Sequence, residues 1–243
     1  VAVTALRYAR EDGASMEQTA RALALAYVGA LGGGYVFEWL RVLPDALGEM
    51  SFAPFFRVGR AAYGGLIFGV VLPALYLRRV GASVGAFLDR VSVGTGLTFL
   101  LVRTGCFLEG CDYGTPTAAP WGVRFPPGSY AATAHAWQRW VAVGARSLPV
   151  HPTQLYEAAV GALGAAVAWA VLRRRRVRDG AAFLAFLGVY AAGRFGVELL
   201  RGDAERGRYG ALSTGQVVSL ALLVLVAHFG HRLRRTTATG LAA

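Results

Sequence analysis

Six apolar runs of roughly 17–24 residues divide this chain, and that is the length a helix needs to cross a hydrocarbon core of ~30 Å. They fall near 22–43, 61–77, 84–102, 151–172, 181–200 and 212–229. The expected fold class is therefore all-α, a polytopic membrane helix bundle of about six spans. Composition agrees: 16% of residues are charged and 55% hydrophobic, whereas soluble domains carry about 25% charged residues. The chain reads as a single integral membrane domain over 1–243. Its longest stretch between spans, 103–150, is expected to form a small head outside the bilayer.

The net charge is +11, and all 25 basic residues are arginine. Planar guanidinium forks suit phosphate and carboxylate groups. The cations are dispersed among apolar spans, so a nucleic-acid partner is not expected. Two cysteines cannot make a disulfide framework. The first dozen residues are polar and lack the apolar core of a signal peptide. The chain opens on Val1, which fits a GTG start codon read literally or a chain that begins inside a longer one. Arginines cluster at 173–176 and 178 after the fourth run, and at Arg232, Arg234 and Arg235 after the sixth. By the positive-inside rule those ends are cytoplasmic, which puts 44–60, 103–150 and 201–211 on the outer side.

The densest chemistry lies in 103–125. Arg103 follows an apolar run directly, and Gly105, Cys106, Glu109, Gly110, Cys111, Asp112 and Gly114 come next, with Pro120-Trp121-Gly122 beyond. Glycines at this density permit positive φ and close backbone approach to a ligand, so the stretch reads as a glycine-rich loop walling a site. Arg103 either binds an anionic headgroup or snorkels to the interface. Cys106 and Cys111 either pair, bind metal or pack as small apolar groups; no neighbouring Cys/His pair supports zinc, and no metal or cofactor is expected.

Arg194 and Glu198 are four apart and share a helix face, and Arg201 falls near it. Charges inside a span are costly unless they face protein or water, so they are functional candidates; the alternative is a structural pair joining two helices. His151-Pro152-Thr153-Gln154-Leu155-Tyr156-Glu157 opens the fourth span. With an ordinary pKa near 6.5, His151 is either a general base or a hydrogen-bonding cap. Tyr63-Gly64-Gly65 begins the second span, where glycine is common at helix contacts.

Taken together, these motifs resemble the prolipoprotein diacylglyceryl transferase family of bacterial inner membranes. The resemblance runs from Leu31-Gly32-Gly33-Gly34-Tyr35 to Leu212-Ser213-Thr214. It is sharpest at 103–125, at 151–157, and at Gly193-Arg194-Phe195 with Glu198 and Arg201-Gly202-Asp203. It implies a seven-helix fold with a small periplasmic head. The implied activity is transfer of the diacylglyceryl group of phosphatidylglycerol to the thiol of a lipobox cysteine in a prolipoprotein signal peptide, with glycerol phosphate released. Phosphatidylglycerol, the prolipoprotein and membrane lipid are then the partners, and the site faces the periplasm or outer leaflet of the inner membrane. Arg103 and Arg194 match family arginines tied to activity, Glu198 its glutamate, and Gly114 the glycine closing the first motif. The catalytic set expected is Arg103, Arg194, Glu198, His151 and Tyr63. The substrate-binding set is Gly64, Gly65, Gly114, Gln154, Tyr156, Glu157 and Arg201.

Three departures accompany the resemblance. Tyr63 stands where the family usually has the histidine proposed as base. Cys106 replaces a motif asparagine, and Glu109 and Cys111 alter the next polar positions. Six spans are read here rather than seven, and residues 1–19 look like the loop after the family's first helix, so an N-terminally shortened reading of a longer gene is expected. A non-catalytic protein that binds phospholipid or a lipoprotein segment, or a related transferase with another acceptor, is the alternative to the transferase.

Overall fold

The structure is a computed structural model that describes residues 15–48, 62–174, 178–203 and 208–240. The chain divides into two compact units, residues 2–90 and 91–243. Helix α1 (Met16–Gly48) and helix α2 (Ala62–Arg79) form the first unit with the start of helix α3 (Val84–Glu109). A reciprocal cap opens α1: the Gln18 N–H donates to Ser15 Oγ at 3.0 Å, and the Ser15 N–H donates to Gln18 Oε1 at 3.3 Å. The sequence placed a loop at 44–60, but α1 continues through Pro44 to Gly48. A proline removes one i→i−4 bond and kinks a helix without necessarily ending it.

Small residues let α1 and α2 approach backbone to backbone. A Cβ on Gly33 would lie 2.6 Å from the Gly64 carbonyl oxygen, and one on Gly64 would lie 2.2 Å from that of Gly33. Gly65 is equally constrained, at 2.5 Å from the Ala30 oxygen. Gly64 and Gly65 therefore serve a helix contact of the small-residue kind that membrane helices use. Asp89 and Arg90, which the sequence placed within reach of the interface, are buried.

The second unit holds the rest of α3, the short helix α4 (Tyr130–Trp137), and helices α5 (Thr153–Leu172) and α6 (Ala181–Glu198). The hairpin of β1 (Arg208–Tyr209) and β2 (Leu212–Ser213) and helix α7 (Thr214–Gly240) complete it. α3 and α5 cross where a Cβ on Gly96 would meet the Gly161 oxygen at 2.5 Å. α5 and α6 enclose a core of Ala168, Ala182 and Phe186, with Phe99 and Tyr190 against it. Ser213 and Gln216 cap the start of α7 reciprocally.

Between α3 and α5 the chain builds its own small core of Tyr113, Phe125, Ala131 and Val150. His135 is fully buried there and accepts the Leu148 N–H on Nδ1 at 3.1 Å, with the rings of Tyr113 and Trp140 against it. Burial pushes its pKa down, so it is a neutral packing group that holds this core.

Among the described residues, five helical stretches are long and apolar enough to cross a membrane by length and composition: Met16–Leu40, Val84–Glu109, Thr153–Leu172, Ala181–Glu198 and Thr214–Leu233. The run at 61–77 folds as α2, whose last turn carries Arg78 and Arg79, and it is not among the five. A second difference concerns 103–109. The sequence reads it as loop, yet it forms the last two turns of α3, and the chain turns only at Gly110, where φ is 73°. The glycine at 105 is outweighed by the helix-compatible Cys106, Phe107, Leu108 and Glu109 around it.

Candidate active site: a buried arginine–carboxylate cluster

Three arginines from three places in the second unit meet at one end of its helices. Arg103 lies near the end of α3. Arg194 lies in the last turns of α6, and Arg201 just beyond it. Glu157, in the first turns of α5 and almost fully buried, joins them. Its Oε2 pairs with Arg103 Nε, while its Oε1 lies 3.0 Å from Arg194 Nη1 and 3.7 Å from Arg201 Nη1. Arg194 also pairs with Glu198, its i+4 neighbour, which is 2% exposed. The expected helix-face pairing of Arg194 and Glu198 is thus present. It forms part of a network rather than an isolated brace.

Asp112 closes the other side. Its Oδ2 lies 2.5 Å from Arg103 Nη1 and its Oδ1 2.5 Å from Arg201 Nη2. Asp203 holds Arg201 in a fork, accepting from Nε at 2.8 Å and from Nη2 at 2.6 Å. Among the described residues, three guanidiniums thus face four carboxylates, and these seven side chains sum to a formal charge of −1. Burial pushes the Asp112 carboxyl up, but Arg201 and Arg103 beside it outweigh this and hold it below its ordinary value. Arg201 is held above its ordinary value: burial opposes this, while its bonds to Asp203 and the charges of Asp112, Asp203 and Glu157 prevail.

Backbone pairing delivers these groups to one place. Residues 113–115 run between two other segments. Gly114 N donates to the His151 oxygen at 3.0 Å, Thr115 N to the Leu200 oxygen at 2.7 Å, and Gly202 N to the Tyr113 oxygen at 3.0 Å. A Cβ on Gly114 would fall 2.5 Å from the His151 oxygen and 2.9 Å from that of Leu200. Only glycine permits this three-way approach. The first turn of α5 fixes the turn before it: Gln154 Nε2 donates to the Cys111 carbonyl at 2.5 Å, and Thr153 Oγ1 to that of Asp112 at 2.6 Å. Asp112 holds a left-handed backbone, φ 55°.

His151 and Tyr156 form a second feature. Tyr156 OH accepts the Trp121 indole N–H at 2.8 Å and lies 3.3 Å from His151 Nδ1. The Trp121 indole and the Tyr156 phenol thus form a polar chain that ends on the imidazole of His151.

Of the residues singled out in the sequence, the fold brings Arg103, Arg194, Glu198, Glu157 and Arg201 into one cluster. Gly114, Gln154, His151 and Tyr156 are in the segments that frame it. Tyr63, Gly64 and Gly65 belong to the first unit, and the side chain of Tyr63 lies outside the described residues. Glu109 is exposed at the end of α3. Asp112 and Asp203 were missed as site residues. An acid following Gly110-Cys111, where a left-handed turn is natural for Asp, was the available signal for the first. Cys106, Cys111 and Asp112 place donor atoms within 4.8 Å of one another. Both Asp112 oxygens are engaged by arginine, however, and the Cys111 thiol is pushed up to about 12 by burial, by the Cys106 thiol and by the Asp112 charge. Arg103 and Arg201 therefore compete with any cation for the Asp112 oxygens.

These elements define a class: a helical protein with several helices long and apolar enough to cross a membrane, and a buried arginine–carboxylate centre where helix ends meet a small core of their connecting segment. The family model described as prolipoprotein diacylglyceryl transferase matches residues 1–230, and the chain belongs to that family. A phosphatidylglycerol–prolipoprotein diacylglyceryl transferase of Clostridium tetani is 33% identical over 169 residues, 69% of this chain and 61% of that protein. One of Clostridium perfringens is 32% identical over 200 residues, 81% of this chain and 71% of that protein. One of Geobacter sulfurreducens is 35% identical over 173 residues, 69% of this chain and 58% of that protein. The matched stretch thus spans about three fifths of the Clostridium tetani and Geobacter relatives.

Proposed function

We propose that the protein transfers the diacylglyceryl group of phosphatidylglycerol to the thiol of a lipobox cysteine in a prolipoprotein signal peptide. The observation that carries this is the convergence of Arg103, Arg194 and Arg201 on buried Glu157. The acceptor sulfur attacks the glyceryl carbon bonded to the phosphate oxygen. That C–O bond breaks, glycerol phosphate leaves, and the thiol proton passes to a base. Negative charge grows on the departing phosphate, and fixed guanidinium forks stabilise it without reorganising. Glu157 and Glu198 hold Arg194, and Glu157 with Asp112 holds Arg103, so both donors are aimed before substrate arrives.

The acceptor reacts as thiolate. His151, backed by Tyr156 and Trp121, is the favoured base. Tyr63 is the alternative, although an ordinary tyrosine pKa of about 10 makes it a weak one. Six spans are proposed, α2 among them. The cluster and the head at 103–150 face the periplasm, opposite the arginines at 173–178, in the bacterial inner membrane. That α5 starts and α6 ends at the cluster, with the arginines between them, supports this orientation.

The excess of carboxylates over arginines favours one rival, a protein that binds the lipid and does not turn it over. Mass spectrometry of a lipobox peptide incubated with phosphatidylglycerol and the detergent-solubilised protein separates the two. A diacylglyceryl mass shift on the cysteine is expected. Bound lipid without that shift would establish the binder.

A further inference from the structure

Asp112 differs from the other acids of the cluster in ways that bear on how a phosphate enters. Its side chain is 29% exposed, against 4% for Glu157, 1% for Glu198 and 19% for Asp203. Unlike Glu157 and Glu198 it sits on a turn rather than on a helix, and Thr153 and Gln154 hold that turn by its backbone carbonyls, not by its carboxylate. Its two oxygens go to two different arginines, each at 2.5 Å. Two non-bridging oxygens of a phosphodiester would meet Arg103 and Arg201 in the same manner.

Charge makes the two occupants exclusive. These seven side chains already sum to −1, and a phosphodiester set against the same two guanidinium edges would meet the Asp112 oxygens both sterically and as like charge. Glu157 and Glu198 are buried under the helices and cannot swing away. Asp112 can, and its departure would leave both arginines in position. Arg103 keeps Glu157, and Arg201 keeps the two-bond fork of Asp203.

We propose that the Asp112 carboxylate occupies the seat of the donor's phosphate between Arg103 and Arg201, and that an anionic phosphodiester binds by displacing it. This rests on the donor reading above and makes Asp112 a specificity-determining residue that sets the affinity for anionic donors. A seat filled by its own carboxylate nine-tenths of the time would weaken apparent binding about tenfold.

The test is equilibrium binding to the full chain in detergent, followed by native mass spectrometry, for wild type, Asp112→Asn and Asp112→Glu. The ligands are phosphatidylglycerol and, as the phosphate-free comparison, diacylglycerol. Asp112→Asn is expected to bind phosphatidylglycerol about tenfold tighter with diacylglycerol unchanged, while Asp112→Glu stays at the wild-type value. A turn merely loosened by the substitution would move both lipids alike, and that result overturns the proposal. So does phosphatidylglycerol binding that is unchanged or weaker in Asp112→Asn. Failure of every variant to bind phosphatidylglycerol would instead remove the donor reading itself. Inorganic phosphate titrated against bound lipid identifies the source of the anion: competition assigns the seat to any phosphate, and its absence assigns it to the lipid headgroup, with Asp112 as the displaced group in both.

Discussion

Arg194 Nη1 lies 3.0 Å from Glu157 Oε1, joining the end of α6 to the start of α5 through two groups that are 16% and 4% exposed. Glu157 also meets Arg103, so one carboxylate neutralises guanidiniums from two helices. Removing one partner of a buried pair strands the other, at a cost of about 3–5 kcal/mol. Glu157→Ala is therefore expected to lower thermal stability in detergent markedly and to abolish transfer. Glu157→Gln, which keeps shape and one acceptor, should fold better yet remain impaired. A Glu157→Ala protein as stable as wild type would remove Glu157 from the centre of the network.

Arg194 itself separates positioning from charge. Arg194→Ala should abolish transfer to the lipobox peptide. Arg194→Lys keeps the charge but loses the planar fork that reaches Glu157 and Glu198 together, and is expected to fall by about 10–100-fold. Near-normal transfer by Arg194→Ala would end its assignment to the reaction.

The seam through Gly114 predicts a stability effect independent of chemistry. The atoms that a Cβ would strike at Gly114 are backbone oxygens and cannot rotate away. Gly114→Ala should cost about 1–3 kcal/mol by overpacking. Gly32→Ala, where a Cβ meets nothing within 4 Å, should stay within about 0.5 kcal/mol of wild type. Thermal melts of the two variants in the same detergent make the comparison.

The Asp112 carboxyl is held below its ordinary value by Arg201 and Arg103 against the opposing effect of burial. A depressed folded-state pKa contributes stability that is fully present above the unfolded value of about 3.9 and is lost as pH falls through the folded one. Wild type should thus lose stability below about pH 4 more steeply than Asp112→Asn, whose acid limb is flatter. Melting temperatures between neutral and acid pH read the difference directly, and parallel curves would show that Asp112 makes no such contribution.

With its thiol pushed up to about 12, Cys111 is roughly one ten-thousandth thiolate at pH 8, and the thiolate is the reactive form. Alkylation by iodoacetamide should be slow at pH 8 and rise close to tenfold per pH unit toward pH 10. Peptide mapping gives the rates, and rapid labelling at pH 8 would contradict the environment described for this thiol.

Much of this protein was legible because the relevant forces are local. Apolar runs of spanning length can be read directly from the sequence, and among the described residues five of the six form helices long and apolar enough to cross a membrane. The four-residue spacing of Arg194 and Glu198 places both on one helix face before any tertiary contact exists. Arg194, Glu198 and Arg201 stood out because charge in or beside an apolar run is costly unless something answers it, Arg103 because it opens the glycine-rich stretch, and Glu157 through the motif at 151–157.

What answers it was decided only by the tertiary structure. The bond between Arg201 and Asp112 joins residues 89 apart in the chain, and no period or propensity encodes that distance. Glu157 became the shared counter-charge because the end of α3, the start of α5 and the end of α6 meet. Gly64 and Gly65 became a helix contact because α1 lies against them, and His135 became a packing group because its pocket closed over it. The physical reason is the same in each case: hydropathy and helical period act between near neighbours, whereas charge pairing and close packing depend on which distant segments burial brings together.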